Sequence, residues 1–474
     1  MLLFARVTTW LAILFLAGLA CALLWWPLNA LFAHVPLSYN EGWNAVHTLR
    51  LRTEGILYPP VSPAIFINYP PLSFYLVAGL ANVVGDDIFA GRIVALAALA
   101  VTTLNVGLAA RRLDAPIPVA LAAALAFLCF VATFFTDYVA VDDPQWLAHA
   151  FQSTGLVVLL GSRRNWRDLI LVAVLMVAGG LVKHNVLSLP IAIMLWLALE
   201  DRRALFRWST AGVLIGASTL FICVGLFGPA FVTQVIGNGR TFTLDVLVRV
   251  ATDWGPQLAP FVIAAAIGAW LTRRSPTGRF VAIYLVVALL VGAVLMVGSG
   301  VIYNTLFDLG IAMMLGCVLL VRHIVAGAGT DNSRAVAVAL GTILLAARFL
   351  MLNASALAVY QPLALDLDRQ SEWESAIERI RAEPRPVACE TLSLCYWAGR
   401  QSVIEFFNFG QRAMLDPGYD ATFARQVESR ELGLIQRDVT GGAKRLPPDL
   451  EALIAANYRV VASDPTVLLA PVAP

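Results

Sequence analysis

Eleven apolar stretches constrain this chain more than any other feature: residues 7–32, 89–110, 115–135, 145–161, 169–182, 186–200, 208–228, 257–272, 279–297, 304–321 and 334–351. An apolar run of about 18 or more residues with few charges is long enough to cross a bilayer as a helix. Hydrophobic residues make up 59% of the 474 and charged residues 14%, against about 25% charged in soluble domains. The sequence therefore predicts an α-helical polytopic membrane protein with about eleven transmembrane helices. The first run, Val7 to Phe32, follows Arg6, exceeds a signal-peptide core and ends without a small-residue cleavage site, so it is expected to stay as an anchor.

Two stretches need arbitration. Residues 71–85 are apolar, but about 15 residues at about 1.5 Å each reach only roughly 22 Å of a roughly 30 Å hydrocarbon core. Residues 169–200 are too long for one ordinary span. If 71–85 lies along the membrane and 169–200 is a hairpin broken at "KHN", one face collects Arg6, Arg111, Arg112, Arg163, Arg164, Arg167, Arg202, Arg203, Arg207, Arg273, Arg274, Arg279, Arg322 and Arg334. The other collects Glu41, Glu54, Asp86, Asp87, Asp137, Asp142, Asp143, Asp245 and Asp253. Arginine-rich loops stay on the cytoplasmic side, which predicts the N-terminus inside and the C-terminus outside.

The division expected is a transmembrane domain over 1–352, with a first external loop at 33–88, and a soluble α/β domain over 353–474. The latter is charged and broken by Pro and Gly. It alternates helix-like stretches ("QSEWESAIERIRAE", "LEALIAANY") with strand-like ones ("RPVACE", "RVVASD"). An outside location allows a Cys389–Cys395 bridge, which spacing alone does not establish. Cys21, Cys129, Cys223 and Cys317 lie in apolar runs as buried thiols. A net charge of +2 gives no case for nucleic acid, and neither a nucleotide phosphate loop nor zinc-ligand spacing is present.

The polar residues of interest gather on the expected outer face. Lys183, one of two lysines in the chain, falls between two apolar half-length helices, where an unpaired ammonium costs about 2.5 kcal/mol or more. It either snorkels to the headgroups or binds an anion. Glu41 follows the first span, with Tyr39, Trp43 and Asn44 beside it at the interface; it is a solvated loop acid or a partly desolvated general base. Asp143 precedes Pro144 and suits a helix cap, leaving Asp142 free. Arg92 is expected near Asp86 and Asp87, in a local ion pair or on a phosphate. With no nucleotide motif, energy for a transfer on this face must arrive attached to the substrate, and a lipid phosphate can carry it across. The requirements are a cation for the departing phosphate and a carboxylate to deprotonate an acceptor hydroxyl.

The order "YNEGWN" after the first span, "NYPPL", "AGR" at 90–92, "DDP" and "VKHN" resembles the GT-C class of membrane glycosyltransferases, in the group of protein mannosyltransferases and aminoarabinose transferases, over roughly residues 1–210. The resemblance implies a first external loop with two membrane-lying helices. It also implies inverting transfer from a polyprenyl-phosphate-linked sugar to a glycan, lipid or protein acceptor at the outer face of a bacterial cytoplasmic membrane. By position, Glu41 matches the second acid of an Asp-Glu pair and Asp142 the acid of an Asp-x-Pro motif, while Asn40 stands where the family usually has Asp. The resulting expectations are Glu41 and Asp142 as catalytic acids, with Glu41 the base; Lys183, Arg92 and His184 on the donor phosphate; and Tyr39, Asn40, Trp43 and Tyr69 lining a substrate groove. A divalent cation, if used, would rest on Glu41 and Asp142. The rival readings are a lipid or solute transporter and a non-catalytic assembly partner.

Overall fold

The computed structural model describes residues 2–60, 64–237, 241–353, 368–416, 421–438 and 446–473. Its first helix, α1 (Leu2–Asn29), leads into a loop carrying α2 (Tyr39–Glu54) and α3 (Leu72–Val84). Ser38 caps α2 by accepting from the amide of Asn40, and Gly55 ends it in the left-handed conformation. The bundle continues through α4 (Asp87–Arg112), α5 (Ile117–Phe134), α6 (Gln145–Gly161), α7 (Trp166–Val182), α8 (Ser188–Glu200) and α9 (Arg202–Phe227). Two short helices, α10 (Pro229–Val235) and α11 (Asp245–Asp253), precede α12 (Gly255–Thr272), α13 (Pro276–Met296), α14 (Phe307–Gly327) and α15 (Asp331–Asn353).

Helices stand at all eleven expected runs, and eight of them are long and apolar enough to cross a membrane among the described residues: α1, α4, α5, α9 and α12 to α15. The other three, α6 and α7 at 17 residues and α8 at 13, are shorter. The break expected at "KHN" is present, with Lys183 in extended conformation at the C-cap of α7. The run at 71–85 is the 13-residue α3, packed on α2, α4 and α7. The arginine-rich ends are tied to one another: Arg279 pairs with Glu200, Arg322 with Asp114 at 3.5 Å, and Arg207 donates to the carbonyl of Arg164 at 3.0 Å.

The C-terminal part is a four-stranded sheet of order β1-β2-β4-β3, formed by β1 (Val387–Cys389), β2 (Leu434–Arg437), β3 (Tyr458–Ala462) and β4 (Val467–Pro471). β1 and β2 run parallel; the other pairings are antiparallel. Around it lie α16 (Gln370–Ala382), α17 (Leu392–Trp397), α18 (Phe406–Leu415), α19 (Ala421–Glu428) and α20 (Pro448–Asn457). Cys389 and Cys395 are bridged, joining the end of β1 to α17. One apolar cluster combines Ile377, Val387, Leu394 and Leu468 of this part with Ala45 of α2 and Ile88 of α4. Hydrophobic burial therefore seats the sheet part on the loop that carries the candidate site. Gly42 makes that contact possible: a Cβ there would lie 2.0 Å from the backbone nitrogen of Ser393 in α17.

Candidate functional site

Glu41 and Arg92 are both fully buried and pair with each other in a fork: Arg92 Nε lies 2.7 Å from Glu41 Oε1 and Nη2 lies 2.9 Å from Oε2. Arg92 spends its remaining donors on the carbonyls of Ala30, Ala33 and Val35, which close the turn after α1. Glu41 also accepts from the amides of Leu37 and Asp142, at 3.0 and 3.3 Å. The ion pair differs from the expected one. Arg92 has no donor left for a phosphate and does not pair with Asp86 or Asp87; Arg52 takes Asp87, at 2.9 Å. Both oxygens of Glu41 are engaged by these four donors, which tie the loop after α1 to α4 and to Asp142.

Asp142 is the carboxylate with an oxygen to spare. It is 4% exposed, and its Oδ2 is buried without a hydrogen-bond partner. Its carbonyl accepts from Asn44 Nδ2 at 2.7 Å, while its amide donates to Glu41. The carboxylate presses against α4 where Gly91 leaves room: a Cβ at Gly91 would fall 2.0 Å from Asp142 Cγ. Burial raises the Asp142 pKa well above the usual carboxylate range, and the nearby charges of Glu41 and Asp143 add to this, with Arg92 opposing. A cavity of about 10 Å³, room for about one water, adjoins it between Asn44, Thr48 and Ser73.

Asp143 takes a different role. Its Oδ1 accepts from the amide of Gln145, the first residue of α6, at 2.8 Å and from Lys183 Nζ at 3.0 Å; its Oδ2 accepts from Asn40 Nδ2 at 2.9 Å. Lys183 is 4% exposed and its ammonium lies 4.8 Å from the centre of the Tyr69 ring, so it is paired within the protein and does not snorkel. Burial alone would weaken its hold on a proton; Asp143 and Tyr69 outweigh this and raise its pKa. His184, next to it, is exposed.

The four groove residues Tyr39, Asn40, Trp43 and Tyr69 line one cavity of about 110 Å³, completed by Asn68 and by Phe407 and Asn408 of α18. Behind its wall the hydroxyl of Tyr39 donates to Glu405, a buried carboxylate that also caps α18 through the amides of Phe407 and Asn408. Asn44, expected beside Glu41, lies four residues from Asn40 and three from Glu41 on one helix face and reaches the Asp142 carbonyl. Phe407 and Asn408 were not, because more than 360 residues separate them from Tyr39.

The expected metal ligands do not form a cation site. Among the described residues no three or more His, Cys, Asp and Glu side chains are grouped to hold a metal ion. Glu41 is closed by Arg92, Asn40 offers an amide, and the cation beside Asp143 is Lys183.

The dolichyl-phosphate-mannose-protein mannosyltransferase family matches residues 68–227, a segment that includes Arg92, Asp142, Asp143 and Lys183. No curated protein matches the chain by sequence. In fold, the chain is similar to ArnT from Cupriavidus metallidurans in the apo state, with a TM-score of 0.63 at 11% identity over 98% of both chains. The same enzyme bound to undecaprenyl phosphate gives 0.58 at 12% identity over 97% of this chain and 98% of that one. The Archaeoglobus fulgidus oligosaccharyltransferase in the apo form gives 0.55 at 12% identity over 92% of this chain and 69% of that one. Residues 68–227 thus carry the family match, and the chain as a whole shares its fold with these membrane glycosyltransferases of the GT-C class.

Proposed function

We propose that this protein transfers a sugar, with inversion, from a polyprenyl-phosphate-linked donor to an acceptor hydroxyl on the membrane face that carries the sheet domain. The observation that carries this reading is the adjacency of Asp142, a carboxylate with an unpartnered oxygen, to Asp143, which holds the buried ammonium of Lys183. In support, a family neighbour of the same fold has been captured with undecaprenyl phosphate. The arginine-rich ends gather opposite the sheet domain, which supports a bacterial cytoplasmic membrane with that domain outside.

In this reading the donor phosphate meets Lys183, competing with Asp143 for its N–H groups, and the sugar occupies the cavity lined by Tyr39, Asn40, Trp43 and Tyr69. The acceptor oxygen attacks the anomeric carbon while its proton passes to Asp142. The bond from that carbon to the phosphate oxygen breaks, and the electron pair leaves with the phosphate, whose charge Lys183 stabilises. In this reading His184, exposed beside Lys183, meets the same headgroup. The acceptor is a glycan, lipid or protein hydroxyl. Replacing Lys183 with Ala tests the reading: turnover of a polyprenyl-phosphate sugar should fall roughly a hundredfold, the scale of a lost oxyanion donor. Unchanged turnover overturns it.

A further inference from the structure

We propose that the groove between α12 and α15 is a second lipid-phosphate site, which takes a long isoprenoid tail along its length and an anionic headgroup at Arg348. The groove has a volume of about 620 Å³ and an almost wholly apolar lining. It is lined by Met314, Val318 and Val321 of α14, Ala264 of α12, Leu345 of α15 and Ala122 of α5. The volume lies within the roughly 300–1,000 Å³ of ligand clefts.

Arg348 stands at the end nearest the sheet domain, toward the C-terminus of α15. One of its N–H groups donates to the carbonyl of Gln257 at 2.8 Å, its guanidinium lies 5.9 Å from the Phe261 ring centre, and its Nε is buried without a partner. No carboxylate among the described residues pairs with it. A guanidinium near the end of a spanning helix with a donor to spare can meet an anion at headgroup level, and its planar fork matches a phosphate.

Length selects the class of lipid. The lining runs along α15 from Ser333 to Arg348, about 22 Å at about 1.5 Å per residue. One leaflet contributes only about 15 Å of a roughly 30 Å hydrocarbon core. An occupant filling the groove from Arg348 therefore has a tail that passes the midplane, which an isoprenoid phosphate has and a phospholipid acyl chain confined to one leaflet does not. The site stands on its own geometry, while its use in turnover rests on the function proposed above.

Native mass spectrometry of the full chain, with undecaprenyl phosphate or phosphatidylglycerol as added lipid, tests it. Wild type should retain two equivalents of undecaprenyl phosphate. Arg348→Gln and the groove-filling Ala264→Trp should each retain one, and Lys183→Gln should also retain one by losing the other site. Retention of one equivalent, lost only in Lys183→Gln, overturns the groove site and leaves the functional reading standing. Two equivalents insensitive to Lys183→Gln but reduced by Arg348→Gln uphold the groove and remove the donor site. Equal retention of phosphatidylglycerol, or no effect of either groove variant, reduces Arg348 to a snorkelling arginine with ordinary surrounding lipid and overturns the proposal.

Discussion

Arg92 grips Glu41 through two parallel contacts of 2.7 and 2.9 Å in a place that water does not reach. Removing one partner of such a pair strands the other charge, at a cost of about 3–5 kcal/mol. Glu41→Gln and Arg92→Met should each lower the thermal unfolding temperature of the detergent-solubilised protein markedly, and the double variant should lose less than the sum of the two. Wild-type melting of either single variant would contradict the anchoring role.

The raised pKa of Asp142 gives a pH prediction with a definite sign. A base works deprotonated, so the active form exists above that pKa and is lost as pH falls through it. Because burial and the charges of Glu41 and Asp143 push the value up from 3.8, the acid limb of the turnover profile should lie well above that of an ordinary aspartate. A turnover profile flat down to pH 4 would remove Asp142 as the base.

Gly91 leaves just enough room for the Asp142 carboxylate. Gly91→Ala should displace that short side chain and cut turnover by a hundredfold or more, on the scale of a lost general base, with thermal stability lowered by no more than about 1–3 kcal/mol, the scale of local overpacking. Turnover within a few-fold of wild type would show that the position of the carboxylate is not critical.

Chelation gives a further check on the charge arrangement. With Lys183 as the cation beside Asp143 and Glu41 closed by Arg92, prolonged treatment with EDTA should leave turnover within about twofold. Loss of activity restored by a divalent cation would contradict the assignment.

Much of the architecture is legible in the sequence because membranes impose simple rules. Apolar length located the helices, and the arginine partition separated the 13-residue α3 from a span and broke the hairpin at Lys183. "QSEWESAIERIRAE" and "RPVACE" became α16 and β1, whereas β2 and β4, at four and five residues too short to show a period, were missed. Site residues were legible as a set and less so as roles. Glu41, Asp142, Lys183 and Arg92 do converge, but which cation meets which acid depends on distances across 40 to 51 residues of chain. Local spacing put Arg92 beside Asp86 and Asp87; the fold turned it instead to the carbonyls after α1 and to Glu41.

The assignment of Asp142 as the proton acceptor is tested most directly by Asp142→Asn, assayed for both donor binding and turnover with a polyprenyl-phosphate sugar. The substitution keeps shape and cannot take up the proton, so donor binding should remain near wild type while turnover falls by roughly a hundred- to ten-thousandfold. Normal turnover by Asp142→Asn, alongside a folded Glu41→Gln that binds donor and is inactive, would return the base to Glu41 and contradict the account.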